Sequence, residues 1–326
     1  MPTIAEINEL IDSAALDGTL HDNIFLGTPV LEMMDGKGKA VVGGETFHIN
    51  LEYDMMPVNV LKFGDSVIPT AVQKDVITRC YYTVGKFHVA LEWSEDDWIK
   101  IKGSRMGAAE WLNNRMQNVA KSLRNKISAH LWSNATDSGI YTFEDVFRQT
   151  GTFGNIDRSV ETWWRATVVS NNPGSPGTPA ALTIDRMEEA YLQAVEALGG
   201  EQPDLMVTDR SVLRSYYVLR DADTRYIDQL TMMSGGWRHD GLRFNGVPFT
   251  WDPKYPTSPT DPTNHSITFF KFSSLFLVDV TGYSPLVYPV IPPDRTSQRY
   301  TKNIFMYMQL ASSSLRQQVR LVDIAV

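Results

Sequence analysis

Few side chains in this sequence have the type and spacing that chemistry requires. Its six histidines, His21, His48, His88, His130, His239 and His265, are scattered, and no two stand at metal-ligand spacing. Cys80 is the sole cysteine, which rules out an intrachain disulfide and any multi-cysteine metal site. With no activating motif beside it, Cys80 reads as a small buried hydrophobe. Glu95, Asp96 and Asp97 are close enough for paired-carboxylate chemistry, but a helix N-terminus favours such residues electrostatically and accounts for them. Asp221 and Asp223 could bind a cation, yet they belong to the charged run Arg220–Arg225, better suited to a solvated or subunit-bridging loop. Asp209, Arg210 and Arg214 open a predicted helix, where capping and surface charge explain them without catalysis. No phosphate loop ending in Lys-Ser/Thr, no Gly-x-Ser-x-Gly turn and no His-Glu-x-x-His pair is present. The sequence therefore predicts no catalytic residue, no cofactor and no metal.

Composition points the same way. The chain has 326 residues, 43% of them apolar and 21% charged, enough for a substantial core in one large domain or roughly two to three smaller ones. Its formal charge of -8 argues against a general nucleic-acid binder, which needs a positive surface to displace counterions. The same charge does not exclude a container whose inner wall faces nucleic acid, where strong attraction could hinder packing. No positively charged start leads into an apolar core after Met1-Pro2-Thr3, and no run reaches about 18 consecutive apolar residues. Neither a secretory signal nor a membrane span is expected, and a reducing cytoplasm is the expected place of folding.

The elements that would position these residues are arranged around one long helix. Before it, Thr3 and Glu6 form a capping box, and Ile4, Ile7 and Ile11 share a helical face. That pattern predicts an N-terminal arm, too short to be stable alone, which docks on its own chain or on a neighbour. Gly36, Gly38, Gly43 and Gly44 then punctuate a polar stretch. Phe47, Ile49, Leu51 and Tyr53 alternate with His48, Asn50 and Glu52, the period of a strand with one buried face. Pro57, Gly64 and Pro69 mark Met55–Lys74 as a tip or irregular connection. A second extended limb runs from Asp75 to Trp93. In it Ile77 and Tyr81 share the odd-numbered phase of Phe87, Val89, Leu91 and Trp93, with Gly85 available as a bend. The two limbs read either as a projecting hairpin covered by another copy or as part of a compact sheet.

Ser94 is placed to cap a short turn ending near Gly103. From Ser104 to about Trp132 a helix is predicted, with Leu112, Met116, Val119, Leu123 and Ile127 as its apolar stripe. Some 28 residues at 1.5 Å each span roughly 42 Å, longer than most globular helices. Arg115, Lys121, Arg124 and Lys126 exclude a membrane reading, and Lys126 weakens a coiled-coil one. From Ile140 to Val169 the chain is aromatic and reads as strand-rich. Ser170–Pro179 is the clearest joint in the sequence, and alternating helix and strand follow it. Thr183 caps a helix carrying Met187, Tyr191, Ala194 and Leu198, which Gly199-Gly200 closes. Leu205–Val207 is a short buried strand, and Asp209 or Ser211 caps a helix with Leu213, Tyr216 and Tyr217 on its apolar face. Asn245-Gly246 turns a hairpin between Leu242–Phe244 and Val247–Phe249. Prolines at every third position predict an exposed, extended loop over Asp252–Ser266. Strands near Ile267–Phe272 and Phe276–Val280 follow. A hairpin of Ile304–Leu310 with Gln318–Val326, turned at Ala311–Ser314, closes the chain.

In this order of elements the sequence resembles the major capsid proteins of tailed bacteriophages. The resemblance is carried by the arm, the extended hairpin Gly44–Trp93 and the helix from Ser104-Arg-Met-Gly-Ala-Ala-Glu-Trp-Leu112 to Leu131-Trp132. It continues in the α/β stretch that includes Pro203-Asp-Leu-Met-Val-Thr-Asp-Arg-Ser-Val212. It implies an α+β fold of five parts: an N-terminal arm (1–35), an extended β-hairpin loop (36–93), a peripheral domain with the long spine helix (94–170), an axial α/β domain (171–280) and return strands of the peripheral domain (281–326). It further implies a structural, non-enzymatic subunit that assembles with itself into hexamers and pentamers of an icosahedral head. That head would enclose double-stranded DNA without sequence-specific contacts, in a virion assembled in the host bacterial cytoplasm. With no room for a cleaved scaffolding segment before the arm, a separate scaffolding protein or an already mature form is expected, and a portal as a further partner. The expected assembly residues are Ile4, Ile7, Ile11, Phe47, Ile49, Leu51, Tyr53, Leu112, Met116, Asp221, Asp223 and Arg225. Gly- and Pro-rich joints at 170–179 and 235–241 would let domains shift as a procapsid expands. Lys37, Lys39 and Lys62 match no crosslinking position. Two alternatives stay open: an encapsulin-like compartment shell of the same fold, and an enzyme centred on Asp209, Arg210 and Arg214.

Overall fold

A computed structural model of the chain describes residues 28–35, 39–41, 44–52, 77–94, 96–97, 105–133, 139–197, 199–221, 242–256, 264–281, 285–292 and 299–326. The predicted arm helix with Ile4, Ile7 and Ile11, Tyr53, the Met55–Lys74 tip, Asp223, Arg225 and the 235–241 joint lie outside these residues. The chain runs through helix α1 (Pro29–Asp35) and strand β1 (Lys39–Val41) into β2 (Thr46–Glu52), β3 (Ile77–Thr83) and β4 (Gly85–Ser94). Helix α2 (Arg105–Leu131) follows, then α3 (Phe143–Phe147), β5 (Thr152–Phe153), β6 (Ile156–Asp157) and β7 (Thr167–Ser170). Next come β8 (Ala180–Ala181), α4 (Ile184–Ala197), β9 (Leu205–Thr208), α5 (Arg210–Asp221), β10 (Arg243–Phe244) and β11 (Val247–Trp251). β12 (His265–Phe270), β13 (Leu275–Val280), β14 (Leu286–Val287), β15 (Arg299–Ser312) and β16 (Val319–Ala325) complete the series. The stretch Ile140–Val169, expected to be strand-rich, instead holds only short strands around α3 and a 3-10 turn at Thr162–Trp164.

The first sheet is built on β15. It buries Ile304, Met306, Met308 and Leu310 while Asn303, Phe305 and Tyr307 stay partly exposed, the alternation of a strand with one covered face. β15 pairs antiparallel with β4 from Arg299↔Ser94 to Met308↔Gly85, with β14 at Ile304–Phe305, and with β13 from Leu275↔Ser312 to Asp279↔Met308. The covering element is α2, 27 residues and therefore about 40 Å long. Met116, Val119, Leu123 and Ile127 are buried as the stripe predicts, joined by Ala120 and Leu131. Rings of β4 meet it edge-on, Phe87 at 5.7 Å from His130 and Trp93 at 6.2 Å from Trp111. Each such apolar side chain withdrawn from water contributes about 1.5–3 kcal/mol. At the other end of β4, Ser94 Oγ accepts the Asp97 N–H at 3.1 Å, the expected cap.

The predicted hairpin is present at its base, with one phase reversed. β2 turns Phe47, Ile49 and Leu51 to one face, as expected. On β3, however, Cys80 and Tyr82 are buried while Ile77 and Tyr81 are 58% and 47% exposed, so these two do not share the buried phase of Phe87 and Leu91. The register explains the correction: Phe47↔Tyr82 and Ile49↔Cys80 place the even-numbered residues of β3 on the covered face. β3 and β4 then belong to different sheets, and the chain changes phase at Val84-Gly85. Tyr82 stacks on Phe47 at 5.3 Å, meets Phe153 and Tyr141 edge-on, and donates its hydroxyl to the Ser312 carbonyl at 2.9 Å. The buried face of the hairpin base is thus covered by its own chain. Gly85 is required there, because a Cβ would lie 2.0 Å from Ile140 Cγ1.

The second sheet has the order β10-β11-β9-β12-β16-β7, with β8 also on β16. Helix α4 buries Met187, Ala190, Tyr191 and Ala194 beside it, and α5 buries Val212, Leu213 and Tyr216. Tyr217, expected on that apolar face, is exposed, because one further helical step carries it off the stripe. Asn245 (φ 47°) and Gly246 (φ 85°) make the predicted two-residue turn between β10 and β11. The expected exposed loop after Trp251 begins instead with buried Asp252 and Tyr255.

One expectation about connections is overturned. β15 and β16 do not form a closing hairpin: they lie in different sheets, and β16 is an interior strand of the second. A 3-10 turn at Leu315–Gln317, with Leu315 buried, redirects the chain. Ser170–Pro179, read as the clearest joint in the sequence, stays within one sheet. It links β7 and β8, which both run parallel to β16, and Asp323 holds it down. The Asp323 carboxylate accepts hydrogen bonds from Ser170 Oγ (2.6 Å), the Gly177 N–H (2.9 Å) and Asn264 Nδ2 (3.1 Å).

Gly85→Ala should lower the unfolding free energy by about 1–3 kcal/mol through overpacking. Urea titration of a double-mutant cycle with Ile140→Ala should show favourable coupling, since removing Ile140 Cγ1 makes the space. Asp323 gives a pH signature. Burial pushes its carboxyl up, but the bonds from Ser170, Gly177 and Asn264 outweigh that and hold it below its ordinary value. Its stabilisation is therefore complete above the unfolded carboxylate pKa of about 3.9 and is lost as pH falls through the lower, folded value. Asp323→Ala should cost about 1–3 kcal/mol at neutral pH and flatten that acid limb in stability measured against pH.

Candidate assembly surfaces

The side chains with chemical potential are held in structural roles. His265 Nδ1 lies 2.6 Å from Asp209 Oδ2, and both residues are buried. Asp209 Oδ1 accepts the backbone N–H groups of Ser211 (2.6 Å) and Val212 (3.1 Å), so Asp209 rather than Ser211 caps α5. Half of an acid–base relay is present, but among the described residues no hydroxyl or thiol bonds Nε2 of His265. Arg210 and Arg214 are exposed on α5, apart from the buried carboxylate. Burial pushes the Asp252 carboxyl up, while its contact with the Lys254 N–H at 2.8 Å works the other way. The Cys80 thiol is pushed up to about 12 by burial, which leaves it an inert core group. No cluster of three or more His, Cys, Asp or Glu suited to a metal ion occurs among the described residues.

A cleft of about 520 Å³ opens beside the hairpin base, lined by Tyr81, Thr83, Tyr141, Asp145, Arg148 and Gln309 among others. Its polar groups serve the fold. Asp145 pairs with Arg148 at 3.1 Å and closes the capping box of α3 with Thr142. Gln309 accepts the Tyr141 N–H at 2.8 Å and donates to the carbonyl of Gly139 at 2.8 Å.

The surface carries more information than the interior. Val218 on α5 and Leu192 on α4 are 67% and 59% exposed, and Tyr288 and Ile291 stand exposed beside β14. Sequence reasoning missed Leu192, Val218, Tyr288 and Ile291 as surface residues. On α4 and α5 the signal was available, since Leu192 and Val218 fall off the apolar stripe of their helices. Of the expected assembly residues, Leu51 and Met116 are buried within the chain's own core and Phe47 and Ile49 are half-buried. Asp221 ends α5, and Leu112 lies within α2. The structure brings Phe47, Ile49 and Leu51 together on one face and places Met116, on α2, in the same hydrophobic core.

No protein-family model and no curated protein matches the chain. Solved structures do. A chain of the capsid asymmetric unit of cyanophage A-1(L) superposes with a TM-score of 0.65 at 14% identity, covering 92% of this chain and 93% of that one. A chain of the capsid of a native GTA particle gives 0.59 at 15% identity, covering 90% of each. A chain of the holo-SrpI encapsulin complex from Synechococcus elongatus gives 0.60 at 9% identity, covering 91% and 88%. The α+β fold is therefore the one shared by tailed-phage capsid proteins and encapsulin, along nearly the whole chain.

Asp209→Ala should destabilise the protein by about 1–3 kcal/mol, through loss of the helix cap and of the buried partner of His265. Asp209→Asn keeps an acceptor for the cap and should recover most of that loss in thermal unfolding.

Proposed function

We propose that this chain is a structural shell subunit, the major capsid protein of a tailed bacteriophage. Copies assemble as hexamers and pentamers into an icosahedral head around double-stranded DNA. The observation that carries the reading is the fold likeness to shell proteins over about nine-tenths of the chain. Head-to-tail contacts that close into rings are the symmetry such a subunit needs. Exposed Leu192 and Val218, on the helices beside the second sheet, are suited to ring contacts.

The proposed division of labour follows the chain: arm (1–35), extended loop (36–93), peripheral region (94–170), axial region (171–280) and closing strands (281–326). Sheet membership crosses it: β13 pairs with β1 and β15, β15 also with β4, and β16 with β7, β8 and β12. Ile4, Ile7 and Ile11 of the arm, the loop beyond Leu51 and Tyr53, and the Asp221–Arg225 run are the proposed contacts with neighbouring copies. Phe47, Ile49, Leu112 and Met116 act in assembly by positioning those contacts. A separate scaffolding protein, a portal and packaged DNA are the proposed partners, with assembly in the host bacterial cytoplasm. Among the described residues no helix is long and apolar enough to cross a membrane. The encapsulin likeness, at a TM-score of 0.60, supports a second reading as the shell of a protein-loaded compartment.

Electron microscopy of the expressed chain, alone and with a co-expressed scaffold, tests the proposal. Closed particles are the expected result, and monodisperse monomers in every condition contradict it. DNA-filled particles favour the phage head; particles filled with a co-expressed protein favour the compartment. Deleting Met55–Lys74 should leave a soluble subunit with an unchanged circular-dichroism melt, because the hairpin base is held by its own chain, and should abolish closed particles.

A further inference from the structure

The solvent face of α2 differs in charge from the chain as a whole. Glu110 is the sole acidic residue between Arg105 and Leu131, in a protein whose formal charge is -8. Arg115, Lys121 and Lys126 are all exposed, and so are Asn114, Asn118 and Asn125. At about 100° per residue, Lys121 falls on one shoulder of the exposed arc and Arg115 with Lys126 on the other. The three asparagines fill the centre. Arg115 and Lys126 are roughly 16 Å apart along the axis. Among the described residues Lys121 and Lys126 have no acidic partner, and the Arg115 guanidinium lies over the Trp111 ring at 5.1 Å.

Every one of these side chains can donate hydrogen bonds, and the cations can displace counterions from a polyanion. A face meant for another protein would carry apolar or aromatic anchors at its centre and few lysines. This one has amides at its centre and cations at its rims, the donor chemistry that fits phosphate oxygens. The cations at its rims are the groups that neutralise phosphates, so the contact is with the backbone.

We propose that the face of α2 bearing Arg115, Lys121 and Lys126 lines the interior of the shell and contacts the phosphates of the enclosed duplex DNA without reading its sequence. This rests on the shell reading and adds to it a specific inner surface.

The test is binding of a short fluorescent DNA duplex to free subunits across a salt series. The wild type is compared with the triple variant Arg115→Gln, Lys121→Gln, Lys126→Gln and with the charge-keeping variant Lys121→Arg, Lys126→Arg. The wild type should bind at low salt. Its slope of log affinity against log salt should flatten in the triple variant by about 0.9 for each phosphate no longer neutralised, and should persist in the charge-keeping variant. An unchanged circular-dichroism melt shows that the exposed substitutions leave the fold intact. No binding by the wild type, or an unchanged slope in the triple variant, overturns the proposal. So does loss of particle formation in the triple variant with duplex binding intact, which assigns the face to subunit contact. If wild-type particles form while the slope does not change, only this inference fails. If particles never form, the shell reading fails and takes the inference with it.

Discussion

The turn from Ser312 to Gln318 carries the chain out of one sheet and into the other, and most of the core is anchored on it. Tyr82 of the hairpin base donates to the Ser312 carbonyl, Ser312 Oγ donates to the Ser274 carbonyl at 2.9 Å, and the Ser313 N–H bonds the same carbonyl at 2.8 Å. Gln318 accepts the Lys271 N–H at 3.0 Å and donates to Ser274 Oγ at 2.9 Å. Each of these groups is buried or partly buried, where an unpaired donor or acceptor costs about 1–3 kcal/mol, so the network fixes one path for the chain. Just past the turn, Arg320 spans to α3, with Nη1 2.8 and 2.9 Å from the two Glu144 carboxylate oxygens and the guanidinium 4.2 Å from the Phe147 ring centre. The final strands therefore fasten the hairpin base, the long helix's sheet and the second sheet to one another.

This arrangement explains which features were legible in the sequence. Local patterns translated directly: the α2 stripe, the Ser94 and Thr183 caps and the Asn245-Gly246 turn depend on residues a few positions apart. What failed depended on distant partners. Ile77 and Tyr81 share a parity with Phe87, yet the phase is set by pairing with Phe47 and Ile49 and reset where Ile140 presses against Gly85. Ser170–Pro179 has the composition of a linker, and only Asp323, far along the chain, shows that it is pinned. β15 and β16 look like a hairpin because serines separate two apolar runs, whereas the buried Leu315 and Gln318 turn them apart. Of the expected assembly residues, Phe47, Ile49 and Leu51 were legible as one face from their alternation. The proposed assembly role drew on the order of elements, and the exposed residues Tyr288 and Ile291 needed the structure.

A subunit that covers its own core leaves its periphery for its neighbours. The described hairpin base is covered internally, so the proposed contact of Met55–Lys74 with another copy does not have to support folding. On the proposed shell reading the acidic balance of the chain and the cationic face of α2 are compatible: a wall repulsive on average would hold DNA through a few weak backbone contacts and still let it be packed and released. With the 170–179 segment locked by Asp323, expansion of a shell would have to move larger rigid parts, not that loop.

Hydrogen–deuterium exchange, compared between free subunits and assembled particles, tests the claim of a self-covered core most directly. The account predicts that amides of β3, β15 and β16 are already protected in the free subunit, exchange together through global unfolding, and change little on assembly. Rapid exchange of the hairpin base, or of one sheet ahead of the other, in the free subunit with protection gained only in particles would contradict it.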